Sequence, residues 1–70
     1  MADDIAGKLA ALLDYWLEHN REHEAEFRDW AEKAGSLPAW VARELRRAAD
    51  AMAEASECLE KARRSLPQKK

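Results

Sequence analysis

His19 and His23 stand four positions apart inside Trp16-Leu-Glu-His-Asn-Arg-Glu-His-Glu-Ala-Glu-Phe-Arg-Asp-Trp30, a stretch bracketed by two tryptophans. On a helix, both imidazoles leave one side of the rod about one turn apart. A single transition-metal ion can bridge two ring nitrogens at that spacing, and zinc, nickel, copper or iron would accept them. Two imidazoles alone do not complete a site. Glu26 continues the line, but His19 to Glu26 covers roughly 10 Å along the axis at about 1.5 Å per residue, too far for one ion to take all three. Further ligands must come from a second helix, where Asp50 and Glu54 are the candidates, or from a twofold-related copy, which would assemble four imidazoles.

Three readings of the pair compete. Each imidazole can donate to a carboxylate of the second helix, or to Glu22 or Glu26 on its own, and form a polar layer that fixes register. The pair can hold a metal. It can also lie on an exposed edge that binds a partner protein. The Glu-x-x-His spacing of di-iron carboxylate bundles is absent, because Trp16 and Asn20 stand three residues before the histidines. His-Glu-x-x-His is absent too, since Asn20 follows His19. Ser36, Ser56 and Ser65 have no neighbours that would activate a nucleophile, so a binding role is expected rather than an enzyme.

The elements that position the pair follow from periodicity. Ile5, Leu9, Leu12, Trp16, His19, His23, Phe27, Trp30 and Ala34 step by alternating fours and threes, apart from one extra step of four, which makes the histidines part of a core-facing stripe. Asp3 or Asp4 suits the N-cap of this first helix, Gly7 is a mild penalty, and nothing breaks the helix over 4–34. Glu24 with Arg28 and Asp29 with Lys33 add acid-before-base pairs, each contributing roughly 0.2–0.5 kcal/mol. Gly35-Ser36-Leu37-Pro38 is the one strong punctuation: Gly35 for a left-handed helix end, Ser36 for a cap, Pro38 for a first turn, with the turn over 35–37. The second helix is expected over 38–66, with Val41, Leu45, Ala48, Met52, Ala55, Leu59, Ala62 and Leu66 on its seam, Pro67 stopping it and a tail over 67–70. So short a turn makes the helices antiparallel neighbours. If facing positions total about 73, the geometry of a tight helical hairpin, His23 lies near Asp50 and His19 near Glu54.

The chain of 70 residues is thus a single all-α domain, a two-helix antiparallel hairpin with one helix-to-helix interface to fill. That is little core. Three Trp, with Leu13 and Leu17 beside the main stripe, predict a second copy over the remaining apolar surface, giving a homodimeric four-helix bundle. A net charge of −2 with basic residues interleaved among acids argues against nucleic-acid binding. No apolar run approaches the roughly 18 residues of a membrane span, and Met1-Ala-Asp-Asp opens with acids rather than the basic start of a signal peptide. With Cys58 as the single cysteine, a small packing residue that cannot make an internal disulfide, a cytoplasmic location is expected.

The string from Trp16 to Ala34, followed by a glycine-containing turn and Ala48-Ala-Asp-Ala-Met-Ala-Glu-Ala-Ser-Glu57, resembles a family of small uncharacterised helical-hairpin domains from anaerobic bacteria and archaea. The motif that carries the resemblance is Trp-x-Glu-His-Asn-x-Glu-His. That family is in turn similar to small nickel-related proteins of the carbon monoxide dehydrogenase maturation type. The resemblance implies polar-site roles for His19, Asn20 and His23. Tyr15 stands where the family pattern has a further histidine, so it does not imply a three-histidine site here.

Overall fold

The computed structural model describes residues 4–67. Helix α1 spans Ile5–Lys33, a short 3-10 turn spans Ala34–Ser36, and helix α2 spans Ala39–Ser65. No strand occurs among the described residues. Asp4 is the N-cap of α1, and its side chain accepts from the Gly7 backbone N–H at 3.1 Å. A Cβ at Gly7 would collide with that carboxylate, so the glycine makes room for the cap. Asp3, the other candidate cap, lies outside the described residues.

The turn forms differently from its sequence expectation. Gly35 does not adopt a left-handed conformation, because the chain leaves α1 through the 3-10 turn, with Leu37 N–H donating to the Ala34 carbonyl at 3.0 Å. Leu37 is extended, and Pro38 rather than Ser36 occupies the N-cap of α2, where no side chain caps the helix. A fixed φ and a missing N–H suit Pro38 to that junction.

The helices pack along a stripe of small residues. The buried and half-buried positions at a four-and-three rhythm are Ala6, Ala10, Leu13, Leu17, Asn20, Glu24, Phe27, Ala31 and Ala34 in α1 and the turn, and Ala42, Leu45, Ala49, Met52, Ser56, Leu59, Arg63 and Leu66 on the other side. Leu13 is 2% exposed and Ala49 fully buried, with Leu17, Ala31, Ala34 and Ser56 also buried. The contact stripe on α1 therefore runs mostly one residue beyond the predicted one. On α2 it takes Ala42, Ala49, Ser56 and Arg63 in place of Val41, Ala48, Ala55 and Ala62. Both stripes share the four-and-three rhythm, and the alanine-rich one wins because small side chains let the axes approach.

Three ion pairs cross between the helices: Asp14 with Arg63 at 2.9 Å, Arg21 with Glu60, and Arg28 with Asp50 at 3.1 Å. Their numbers run in opposite senses, which defines the antiparallel arrangement, and they total 77 to 81 rather than 73. Asp14, Arg21 and Arg28 recur every seven residues, so at about 100° per residue they share one side of α1. Both acid-before-base pairs also form, Glu24 with Arg28 and Asp29 with Lys33. Lys33 in addition lies 4.7 Å over the Trp30 ring.

Three outcomes check this packing. Ala49→Leu forces a larger side chain into a position that is fully buried, and urea unfolding should show a loss of roughly 1–3 kcal/mol. Ser56→Ala should do the reverse. The Ser56 hydroxyl is buried with no hydrogen-bond partner among the described residues, so removing it should raise stability by about 1 kcal/mol in the same measurement. Asp14 is held below its ordinary value of 3.8 by the hydrogen bond from Arg63. Its contribution is therefore present above that value and lost as pH falls through the lower folded value. Thermal melting should show Asp14→Asn slightly less stable than the parent at pH 6, with the gap closing below about pH 3.8.

Candidate metal centre

The alanine-rich contact leaves the bulky residues of α1 on a second stripe. Ile5, Leu12, Tyr15, Trp16 and Trp30 are all exposed, Trp30 by 58%. His19 is exposed and His23 half-buried on the same stripe. With about 100° between residues, this stripe is centred roughly 100° from the line of Leu13, Leu17 and Ala31. On α2 the half-buried Val41, Ala48, Met52, Leu59 and Leu66 are displaced by about 60° in the same numerical sense from Ala49 and Ser56. Because the rods are antiparallel, displacements of equal numerical sense turn both helices toward one side of the hairpin. The result is a single broad apolar face, with the ion pairs of Asp14, Arg21 and Arg28 on the opposite side.

The histidines lie at the middle of that face and touch. His19 Nε2 and His23 Nε2 are 3.2 Å apart, with the rings nearly perpendicular and their centroids 4.6 Å apart. Tyr15 stacks on His19 at 5.3 Å and Phe27 on His23 at 5.9 Å, so four rings at every fourth residue form a ladder up α1. Helical spacing creates the ladder, since residues four apart are surface neighbours. The far nitrogen of His23, Nδ1, faces Glu26 Oε1 at 3.3 Å. Of the two same-helix carboxylates named for that role, Glu26 is thus the one placed on His23. A carboxylate beside Nδ1 is the kind of outer partner that orients an imidazole whose Nε2 meets a ligand.

The other two candidate ligands sit elsewhere. Asp50 pairs with Arg28, which also binds Glu24, and those two hydrogen bonds hold the Arg28 guanidinium more firmly protonated than usual. The register of the ion pairs brings Glu54, rather than Asp50, to the level of His23. Even so, among the described residues no three His, Cys, Asp or Glu side chains gather around one point. His19 and His23 are brought together, and Asp50 and Glu54 do not join them. Cys58 is exposed and unpaired by any disulfide.

Asn20 is half-buried on the contact stripe rather than beside the imidazoles, close in register to the buried Ser56. That polar level was hidden in the sequence, because neither residue falls on the more hydrophobic of the two stripes. No described helix is long and apolar enough to cross a membrane.

The chain belongs to a family described as a domain of unknown function, DUF8180, whose model matches residues 9–66. It is also similar to an uncharacterised protein of Archaeoglobus fulgidus, 40% identical over 55 residues that cover 79% of this chain and 89% of the archaeal one. The matched region contains both histidines and most of the apolar face. No solved structure matches the chain.

Proposed function

We propose that this protein is a small helical interaction module that pairs with a second copy through its apolar face, forming a four-helix bundle, and that His19 and His23 are transition-metal ligands on that face. Its role on this reading is binding rather than catalysis, in the cytoplasm, with nickel, zinc, copper and iron as the candidate ions. The resemblance to nickel-related maturation proteins makes nickel the first to test alongside zinc.

The observation that carries the self-association is the amount of uncovered surface. The chain exposes 5442 Å², about 1,000 Å² more than the roughly 4,450 Å² of a compact 8.0 kDa protein. Its radius of gyration is 16.4 Å, against about 11 Å for a globule of this length. Extents of 56 × 16 × 14 Å give one long face of about 900 Å², close to the ~800 Å² per partner of a stable interface. The apolar face runs along that length. The metal reading is supported by the two Nε2 atoms at 3.2 Å and by Glu26 on His23 Nδ1.

A second reading has its own support. The Glu26 contact, with no third ligand gathered in one chain among the described residues, also fits a structural or adaptor hairpin. Its histidines would form a hydrogen-bonded polar layer, and its apolar face would bind a different protein.

Light scattering at micromolar concentration separates the two. A self-associating module gives about 16 kDa, twice the 8.0 kDa chain, and Leu12→Glu combined with Trp16→Glu returns it to the single-chain mass while helicity is retained. A parent protein at the single-chain mass would defeat the bundle and leave the adaptor, to be sought by pull-down.

A further inference from the structure

We infer that two copies share one divalent transition-metal ion, held at the middle of the bundle by His19 and His23 of each chain. This deepens the reading above and rests on it. The first support is the spacing of the nitrogens. Four imidazoles at about 2.05 Å around a tetrahedral ion place neighbouring nitrogens roughly 3.3 Å apart. The two Nε2 atoms within one chain are already at 3.2 Å. Glu26 on His23 Nδ1 at 3.3 Å supplies the outer partner that orients a ligating imidazole.

The second support is that the donor set is half complete. One chain offers two convergent nitrogens and, among the described residues, no third ligand around them. A closed structural site needs four. The missing two must come from outside the chain, and the pair lies on the face that a second copy covers.

The third support is the level at which the pair sits. About residue 21 is midway along the hairpin, between Asp4 and the turn at Leu37. A twofold axis perpendicular to the rods, placed to overlap two hairpins fully, stacks α1 on its own copy and passes at that level. His19 then lies opposite the second copy's His23, and His23 opposite its His19. The alternative axis, along the rods, stacks α1 on the second copy's α2. There the imidazoles would face Met52, Ala55 and Leu59, with the exposed Cys58 at the edge of that level, and each pair of Nε2 atoms would keep only its own chain's contact at 3.2 Å, gaining no second pair of imidazole nitrogens. Residue chemistry thus favours the arrangement in which imidazoles meet imidazoles.

Calorimetric titration of tag-free protein with zinc, with the mass followed in parallel, tests this. Half an ion per chain is expected, in a species of twice the single-chain mass. Cobalt in place of zinc should give the strong visible absorption of a four-coordinate ion. His19→Ala, His23→Ala and His19→Gln, each checked for retained helicity, should each abolish the half-ion stoichiometry, while Glu26→Gln should weaken binding about 10- to 100-fold. One ion per chain would overturn the shared site and leave a metal-binding bundle. An intact dimer that binds no zinc would overturn both the shared site and the metal role. A chain that keeps the single-chain mass at saturating zinc would overturn self-association itself.

Discussion

The close approach of α1 and α2 along alanine is the constraint from which the other features follow. Ala6, Ala10, Ala31 and Ala34 on one side, with Ala42 and Ala49 on the other, let the rods come together but bring little apolar area with them. Among the described residues, Leu13 and Leu17 are the large side chains that are buried, and neither is wholly enclosed. Had the helices met along their bulkier residues, the hairpin would have enclosed more surface and left a plainer exterior. Meeting along small ones, they hold Trp16, Leu12 and Trp30 outward as a second surface.

The opposite side of the hairpin is built to stay wet. Asp14, Arg21 and Arg28 step along it at heptad intervals on α1, paired with Arg63, Glu60 and Asp50. Exposed pairs of this kind add little energy singly, about 0–1 kcal/mol. Their significance is positional. Each sign on α1 meets the opposite sign on α2, so a slide of one helix by a turn would set like charges against one another or leave arginines without partners. Register is thus held from the charged side while the apolar side remains free to pack.

Much of this was legible in the sequence, and the misplacements share one cause. Helix extents were right to within about a residue, since Pro38, Pro67 and the capping Asp4 are strong local signals. The contact stripe was not, because α1 carries two stripes with the same rhythm about one residue apart. Hydrophobicity favours the stripe with Ile5, Leu12, Trp16 and Trp30, whereas steric closeness favours the stripe with Ala6, Leu13, Leu17 and Ala31. Ranking by hydrophobicity selects the surface that is left over. The same shift carried Asp50 away from the histidines, to Arg28, and placed Asn20 and Ser56 between the helices. Gly35 misled for a different reason: glycine permits a left-handed end but does not require one, and a 3-10 turn completed the reversal instead.

Each of the two stripes carries a polar interruption near mid-length, and the two differ in kind. Asn20 and Ser56 interrupt the contact between α1 and α2 with small neutral groups that fit between close helices. His19 and His23 interrupt the outer face with larger rings, His19 stacked on Tyr15 and His23 on Phe27. A wholly apolar outer face could pair with a copy in several offsets, since Leu, Trp and Ala discriminate weakly among positions along a rod. In the proposed dimer, two imidazoles at the centre would remove that freedom. The four Nε2 atoms come together in the proposed dimer at one offset, where the second copy's histidines arrive at the same level. Sliding by a turn would set one histidine of each copy against Tyr15 or Phe27 and break up the set of four nitrogens. The residues that make the face chemically interesting are therefore also those that would fix how two copies align, and a shared ion would strengthen that selection rather than create it.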